Sequence, residues 1–262
     1  VFVFRHRINT YMTNILLASD FHIKHSIHEM KEIVSDVNRD IAIFLGDLSK
    51  TYDTTRFEEF IRHHLQFSDI IFVLGNHEYF SDNFHEAPNK VRRLFDVINK
   101  TTPHNAYVLE NDTFIMNDIR FIGTTLWSNL DLTNTDVSDS MVRRCGKYGV
   151  KPEDILEIHN RSSEYIRDTL AQPVDYKTIV LSHHAPSVKS IASKFANSPT
   201  NSMYASSMDD MIVKYQPEYW LHAHIHESVD YFIDKTHILS NTYGYSKIEH
   251  NTGYNSKFII KV

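Results

Sequence analysis

The sequence predicts a layered α/β fold with a mixed β-sheet, or with two sheets packed face to face. Three observations point there. Short apolar runs alternate with stretches of helical period, the pattern of a layered α/β domain. In the middle of the chain and near its end, short apolar segments are joined by Asn/Asp turns, which calls for antiparallel pairing as well. And strand after strand ends abruptly in Asp, Asn or His.

In order, "NILLAS" (14–19) reads as the first strand, and residues 27–39 place Ile27, Met30, Ile33, Val34 and Val37 on one helical face. "IAIFL" (41–45) is the next strand, followed by a helix over 54–67 with Phe57, Phe60, Ile61 and Leu65 inward. "IIFVL" (70–74) is the third strand, and 88–99 is a helix with Pro88 near its start, where a missing N–H does no harm. "AYVLE", "TFIMN" and "IRFIGTTLW" read as short antiparallel strands, and 128–151 as a polar, irregular surface excursion holding Cys145 in a loop. Residues 152–171 are helical with Pro152 in the first turn, "TIVLS" (178–182) is a strand, 205–215 a short helix, "EYWLH" (218–222) a strand, "SVDYFIDKTHILSN" a hairpin around Asp234-Lys235, and "KFIIKV" the closing strand. Residues 1–11 read equally as an extension upstream of Met12 or as an edge strand over Val1–Phe4.

Composition narrows the function. With 262 residues and 42% hydrophobic content, one large core and a single domain over 1–262 are expected. The net charge of -6, without a basic cluster, argues against a surface built to grip nucleic-acid backbone. No apolar run approaches the ~20 residues that span a bilayer, the N-terminus makes a poor secretion signal, and the single Cys145 cannot form an internal disulfide. Cytoplasmic location is the expectation; the oligomeric state is left open.

The candidate site comes from the strand ends: "LLASDFH" (Asp20, His22), "FLGDL" (Asp47), "VLGNHE" (Asn76, His77), "VLSHHAP" (His183, His184) and "WLHAHIH" (His222, His224, His226). A polar turn explains any one of them. Five strands delivering the same side-chain types to one rim is better explained by a site, since sites in open α/β sheets form at the carboxyl ends of strands. The donors are oxygen and nitrogen without thiolate, a set suited to Mn, Fe or Zn. About seven such side chains are too many for one tetrahedral ion and suit two. If the segments are extended, residues two apart face the same way, so that Asp20 and His22 share an ion while His184 and His222 point to the opposite face and serve behind the ligands. Asp47, with two carboxylate oxygens, is placed to bridge. His63 and His64, on the helix over 54–67, read as surface residues.

The motif series D-x-H, G-D, G-N-H-E, H and a near G-H-x-H, in order over residues 20–226, resembles the calcineurin-like metallophosphoesterase superfamily, and "TIVLSHHAPS", "YWLHAHIHESVDY" and "LSNTYGY" resemble its small single-domain bacterial or phage-type branch. The resemblance implies a four-layer sandwich of two mixed sheets between helices. It places Asp20, His22, Asp47 and His226 on one ion, Asp47, Asn76, His183 and His224 on the second, and makes His77 the catalytic histidine. It implies two divalent cations (Mn²⁺ first, with Fe, Zn, Mg or Ni as alternatives) that make a water nucleophilic against the phosphorus of a small phosphomonoester or phosphodiester, with a nucleotide-derived substrate in view. Two departures stand out: Ala223 where the family usually has Gly, and Thr242 where related chains often carry Arg, which puts substrate contacts in question. "GDLSKTYDTT" lacks the Asp-Arg-Gly of protein serine/threonine phosphatases, and no large cap or basic groove of a repair nuclease is evident. Cyclic-nucleotide phosphodiesterase stays open. The reading from a different class is a metal-holding scaffold without catalysis, against which stands the presence of all eight key side chains.

Overall fold

A computed structural model describes residues 12–23, 34, 36–49, 54–80, 84–145, 149–245, 249 and 253–262. The expectation for residues 1–11, and most of the helix expected over 27–39, lie outside the described residues.

The strands form two mixed sheets. The first has the order β11-β1-β2-β3-β4, built from β1 (Asn14–Ala18), β2 (Ile41–Phe44), β3 (Asp69–Phe72), β4 (Ala106–Val108) and β11 (Ile259–Lys261). β1 through β4 run parallel, and β11 pairs antiparallel with β1. The second has the order β5-β6-β7-β8-β10-β9, built from β5 (Asp112–Met116), β6 (Ile119–Thr124), β7 (Lys177–Ser182), β8 (Tyr219–His222), β9 (Asp230–Ile233) and β10 (Thr236–Ser240). Its centre is parallel and its two edge pairings, β5 with β6 and β9 with β10, are antiparallel hairpins. Asp234, in the second hairpin's turn, takes φ 50°.

Side-chain alternation sets the layers. Ile15, Leu17, Ile41, Ile43, Ile71 and Val73 meet Phe121, Ile179, Leu181, Leu221 and Leu239 between the sheets. The alternate residues Leu16, Ala18, Ala42, Phe44 and Phe72 face outward into a core shared with helices α1 (Thr54–His64) and α3 (Ala87–Ile98), between which lies the single turn α2 (Asn76–Tyr79). On the far side, Ile122, Val180, Trp220 and Ile238 pack against Ile166 of α5 (Pro152–Leu170) and Ile212 of α6 (Asp209–Tyr215). This is the expected four-layer sandwich, and strands buried on both faces explain why they read as unbroken apolar runs. Among the described residues no helix is long and apolar enough to cross a membrane.

The structure corrects four local expectations. "AYVLE" is not part of the antiparallel group: β4 runs parallel to β3 and completes the first sheet, because its alternating burial suits an edge of that sheet. Residues 128–151 are not irregular throughout: helix α4 (Thr135–Cys145) buries Val137, Met141 and Cys145 at helical spacing in the first sheet's outer core. Cys145 therefore sits at a helix end rather than in a loop, and burial pushes its thiol up to about 11. His64 is buried rather than on the surface, with its ring against Phe44 and Phe60.

Candidate metal centre

The parallel strands of each sheet end level with their neighbours, Ala18 opposite Phe44 and Phe44 opposite Phe72 in one, Leu181 opposite Leu221 in the other. Their following turns therefore meet at one rim. Two cross-links hold the two sheets together there: Ser19 bridges to Thr242, and His183 Nδ1–H donates to Leu45 O at 2.6 Å, while Ala223 N–H, donating to His183 O at 2.9 Å, extends the β7–β8 pairing.

The backbone that aims the side chains is not extended. Asp20 (φ 58°), His22 (44°), Asp47 (51°), His224 (69°) and His226 (50°) all occupy the left-handed region, which is uncommon for any residue with a side chain, although Asp and His enter it more readily than most, and which concentrates at functional sites. The simple extended-strand reason for pairing these residues thus fails, although the groupings it implied are present. Asp20, His22, Asp47 and His226 bring ligand atoms within 4.8 Å of one another, and so do Asp47, His183 and His224. Asn76 Oδ1 lies 3.0 Å from His183 Nε2, joining the second group. Asp47 belongs to both: Oδ2 is 3.8 Å from His22 Nε2, and Oδ1 is 3.5 Å from His183 Nε2.

Close approach of the turns carrying Asp47 and Asn76 depends on glycine. A Cβ on Gly75 would overlap the Asp47 carboxylate, and one on Gly46 would overlap the Gly75 backbone. Glu78 then ties the two turns. Fully buried, it accepts from the N–H groups of Asp47, Leu48, Ser49 and Gly75 at 2.7–3.1 Å. Burial pushes its carboxyl up to about 7 against the pull of those four donors. Asp47 itself is fixed by His77 N–H, 2.8 Å from Oδ1.

Two buried polar atoms of these groups, Asp20 Oδ1 and His224 Nδ1, have no hydrogen-bond partner among the described residues. His22 Nε2 and His226 Nε2 lie 3.0 Å apart. Burial depresses His22 to about 2 and lowers His183 and His224, so these rings are neutral at neutral pH and carry free lone pairs. Burial would raise Asp20, but His226, with His183 and His22 behind it, holds it below the usual carboxylate range. For Asp47, burial and the nearby Glu78 and Asp20 carboxylates push the carboxyl up. Neutral imidazoles and crowded carboxylates converging on common points fit a pair of divalent cations, which supply the missing partners.

Two ring orientations are fixed from behind. His183 Nδ1–H donates to the Leu45 carbonyl, leaving Nε2 facing the group. His226 Nδ1 is 2.7 Å from Glu249 Oε2, which also accepts Tyr245 N–H at 2.7 Å. Glu249 escaped the sequence reading because it follows no strand and belongs to no motif; its role shows only in the fold. His184 and His222 are buried behind the ligands as expected, His184 stacked on Trp127 and 4.0 Å from the His224 ring. Ala223 is not among the positive-φ residues, so its methyl adds no backbone strain. Thr242 is fully buried in the bridge to Ser19 and offers no substrate contact.

Above the groups opens a cavity of about 390 Å³, lined by Asp47, Asn76, His77, His224, His226 and Tyr245 at its floor. Its far wall comes from the segment 191–204, which includes Ile191, Phe195 and Tyr204. His77 is part-exposed into it, with Nε2 3.8 Å from Asp47 Oδ2 and 3.3 Å from the Tyr245 hydroxyl. Phe80 lines a smaller adjoining recess, whereas Tyr79 and Phe84 are buried packing. A third ligand-like group, Asp36, His63 and His64, is a different case. There the Arg39 guanidinium lies 3.1 Å from His64 Nδ1, and its positive charge opposes a bound cation.

Comparison with known proteins agrees with this geometry. The family model for calcineurin-like phosphoesterases matches residues 13–228. An uncharacterised protein of Acanthamoeba polyphaga mimivirus is 26% identical over 228 residues, 79% of each chain. The crystal structure of a phosphopantetheinyl hydrolase from Mycobacterium tuberculosis superposes with a TM-score of 0.67 over 95% of each chain at 12% identity, a likeness of fold.

Proposed function

The chain belongs to the calcineurin-like phosphoesterase family, and from that premise we propose that it hydrolyses a small organic phosphoester with the help of two divalent cations, manganese first among them. One observation carries the reading: two His/Asp groups share Asp47 beneath a cavity into which His77 projects. Asp20, His22, Asp47 and His226 would hold one cation, and Asp47, Asn76, His183 and His224 the other. When bound, the cations supply Lewis acidity, polarising phosphoryl oxygens and lowering the pKa of a water.

The remaining work falls to the chain. The buried floor positions the phosphoryl group, and the walls exclude bulk solvent around it. His77, next to the Tyr245 hydroxyl, is placed to steady developing charge or to deliver a proton to the leaving oxygen. The cavity volume of about 390 Å³ falls among small-molecule sites, typically ~300–1,000 Å³, which favours a nucleotide-sized substrate over a duplex. Phe195 and Tyr204 offer aromatic faces on which a base could stack.

The test is turnover of p-nitrophenyl phosphate and bis-p-nitrophenyl phosphate with added Mn²⁺, by the wild type and His77→Ala. Cleavage of at least one probe is expected, with His77→Ala retaining both metal equivalents while its rate falls about 10²–10⁴-fold. Two metal equivalents without turnover of either probe would favour a metal-holding scaffold instead. Loss of metal from His77→Ala would remove that residue from its catalytic assignment.

A further inference from the structure

The cavity's lining carries charges of both signs. Its carboxylates are already engaged: Asp47 belongs to both ligand groups, and Glu249 holds His226. Among the described lining residues Arg144 is the only lysine or arginine. It lies on the last turn of α4, whose Met141 and Cys145 are buried and anchor that turn. Arg144 also lines the smaller recess, together with Asn76, Tyr204 and His224, so it stands where recess and cavity meet beside the second ligand group. Its charge is felt at His224 and Tyr245, which line the same cavity. Ile191, Ala192, Phe195 and Ile225 give the cavity an apolar stretch of lining.

A guanidinium edging a pocket, with the pocket's carboxylates committed elsewhere, is an anion subsite: its planar fork matches phosphate or carboxylate oxygens. A guanidinium can also share one phosphoryl group with cations, so the scissile phosphate and a second anion have to be separated by experiment. We propose that Arg144 selects organic phosphoesters that carry a second anionic group, a phosphate or carboxylate beyond the scissile one, with the uncharged part of the substrate against the Ile191–Phe195 wall. The proposal deepens the phosphoesterase reading and rests on it for the position of the scissile group.

A matched pair of probes tests it: thymidine 5′-(p-nitrophenyl phosphate) and the same compound bearing a 3′-phosphate. Scissile bond and leaving group are identical, and only the second anion differs. The wild type with Mn²⁺ is expected to prefer the 3′-phosphorylated probe in kcat/KM. Arg144→Gln should lose about 10- to 100-fold on that probe, the span of a charged hydrogen-bond pair, and less than about threefold on the other. Arg144→Lys should recover part of the preference. Equal losses on both probes would place Arg144 on the scissile phosphate, and no loss on either would take it out of the site; both outcomes overturn the proposal. Calorimetric binding of thymidine 3′,5′-bisphosphate and thymidine 5′-monophosphate gives a second readout. The wild type should bind the bisphosphate more tightly, and Arg144→Gln should bind the two alike. If the wild type cleaves neither probe yet keeps that difference, the phosphoesterase reading fails while the Arg144 subsite stands.

Discussion

The residue that most sharpens the centre is one no motif contains. Glu249 holds the Nδ1 side of His226, so that Nε2 faces His22 and Asp20. A carboxylate in that position orients a ligand histidine and raises its basicity, and its loss typically lowers metal affinity about 10–100-fold. Burial alone would lower His226, but Asp20 and Glu249 outweigh it and its pKa is raised. Glu249 therefore acts through His226 as a positioning residue. Glu249→Gln is expected to weaken Mn²⁺ binding to the first group by about 10–100-fold while leaving the second, held by Asp47, Asn76, His183 and His224, within about twofold. Titration calorimetry on metal-stripped protein resolves the two steps, and equal affinities in variant and wild type would make Glu249 a bystander. The candidate residues legible in the sequence, Asp20, His22, Asp47, Asn76, His77, His183, His224 and His226, stand out because each comes within a few residues of the end of a buried apolar strand. Glu249 is brought to the rim by tertiary structure alone.

At the scale of elements, legibility followed burial on both faces. β1, β2, β3, β7 and β8 each carry a run of at least three apolar or aromatic residues and are buried along almost their whole length, which makes them legible. α4 did not, because its sequence TDVSDSMVRRC buries a narrow stripe under a polar exterior. β4 was assigned to the wrong neighbours because a three-residue strand carries too little pattern to choose a partner. The segment 187–204 is short 3₁₀ turns with no periodicity, yet it forms the cavity wall. Long-range contacts hold it: Lys194 to Glu227 at 2.6 Å, Lys189 to Asp209 at 2.8 Å, and Ser190 Oγ to both Tyr231 Oη at 2.8 Å and His222 Nε2 at 2.9 Å. His222, fully buried at the end of β8, is pushed down by burial to about 4. The unfolded chain binds a proton near pH 6.5 that the folded chain refuses until about pH 4. His222 thus contributes stability that is full above pH 6.5 and lost as pH falls through that window, with a slope of up to about 1.4 kcal/mol per pH unit. His222→Gln has no such titration. Its stability deficit against the wild type, measured by urea unfolding, should be largest near pH 7 and narrow by roughly 3 kcal/mol toward pH 4. A gap constant with pH would show that His222 titrates normally.

Across the whole molecule, the ligand groups draw on the ends of β1, β2 and β3 from one sheet and of β7 and β8 from the other, so the centre is also a clamp between sheets. Without cations that clamp sets crowded carboxylates and lone pairs against one another on backbone held in left-handed conformations. Each such residue costs of order 1–3 kcal/mol. The interlayer core of Ile, Leu and Val holds the strands that carry these groups and offsets that cost. Cations binding only the folded form then stabilise it by mass action, by about 4 kcal/mol at a thousandfold excess over Kd. For a chain of this size each kcal/mol raises Tm by about 2–4 °C, so Mn²⁺ should lift Tm by roughly 8–16 °C over chelator-treated protein. Asp47 is the member common to both groups, and removing one of its charged oxygens weakens both. Asp47→Asn should therefore lose most of the Mn²⁺-dependent rise, whereas a variant of His226, which belongs to one group, should keep part of it. Thermal unfolding with and without Mn²⁺ separates these outcomes: if Asp47→Asn keeps the full rise, Asp47 does not bridge, and the two groups are independent sites.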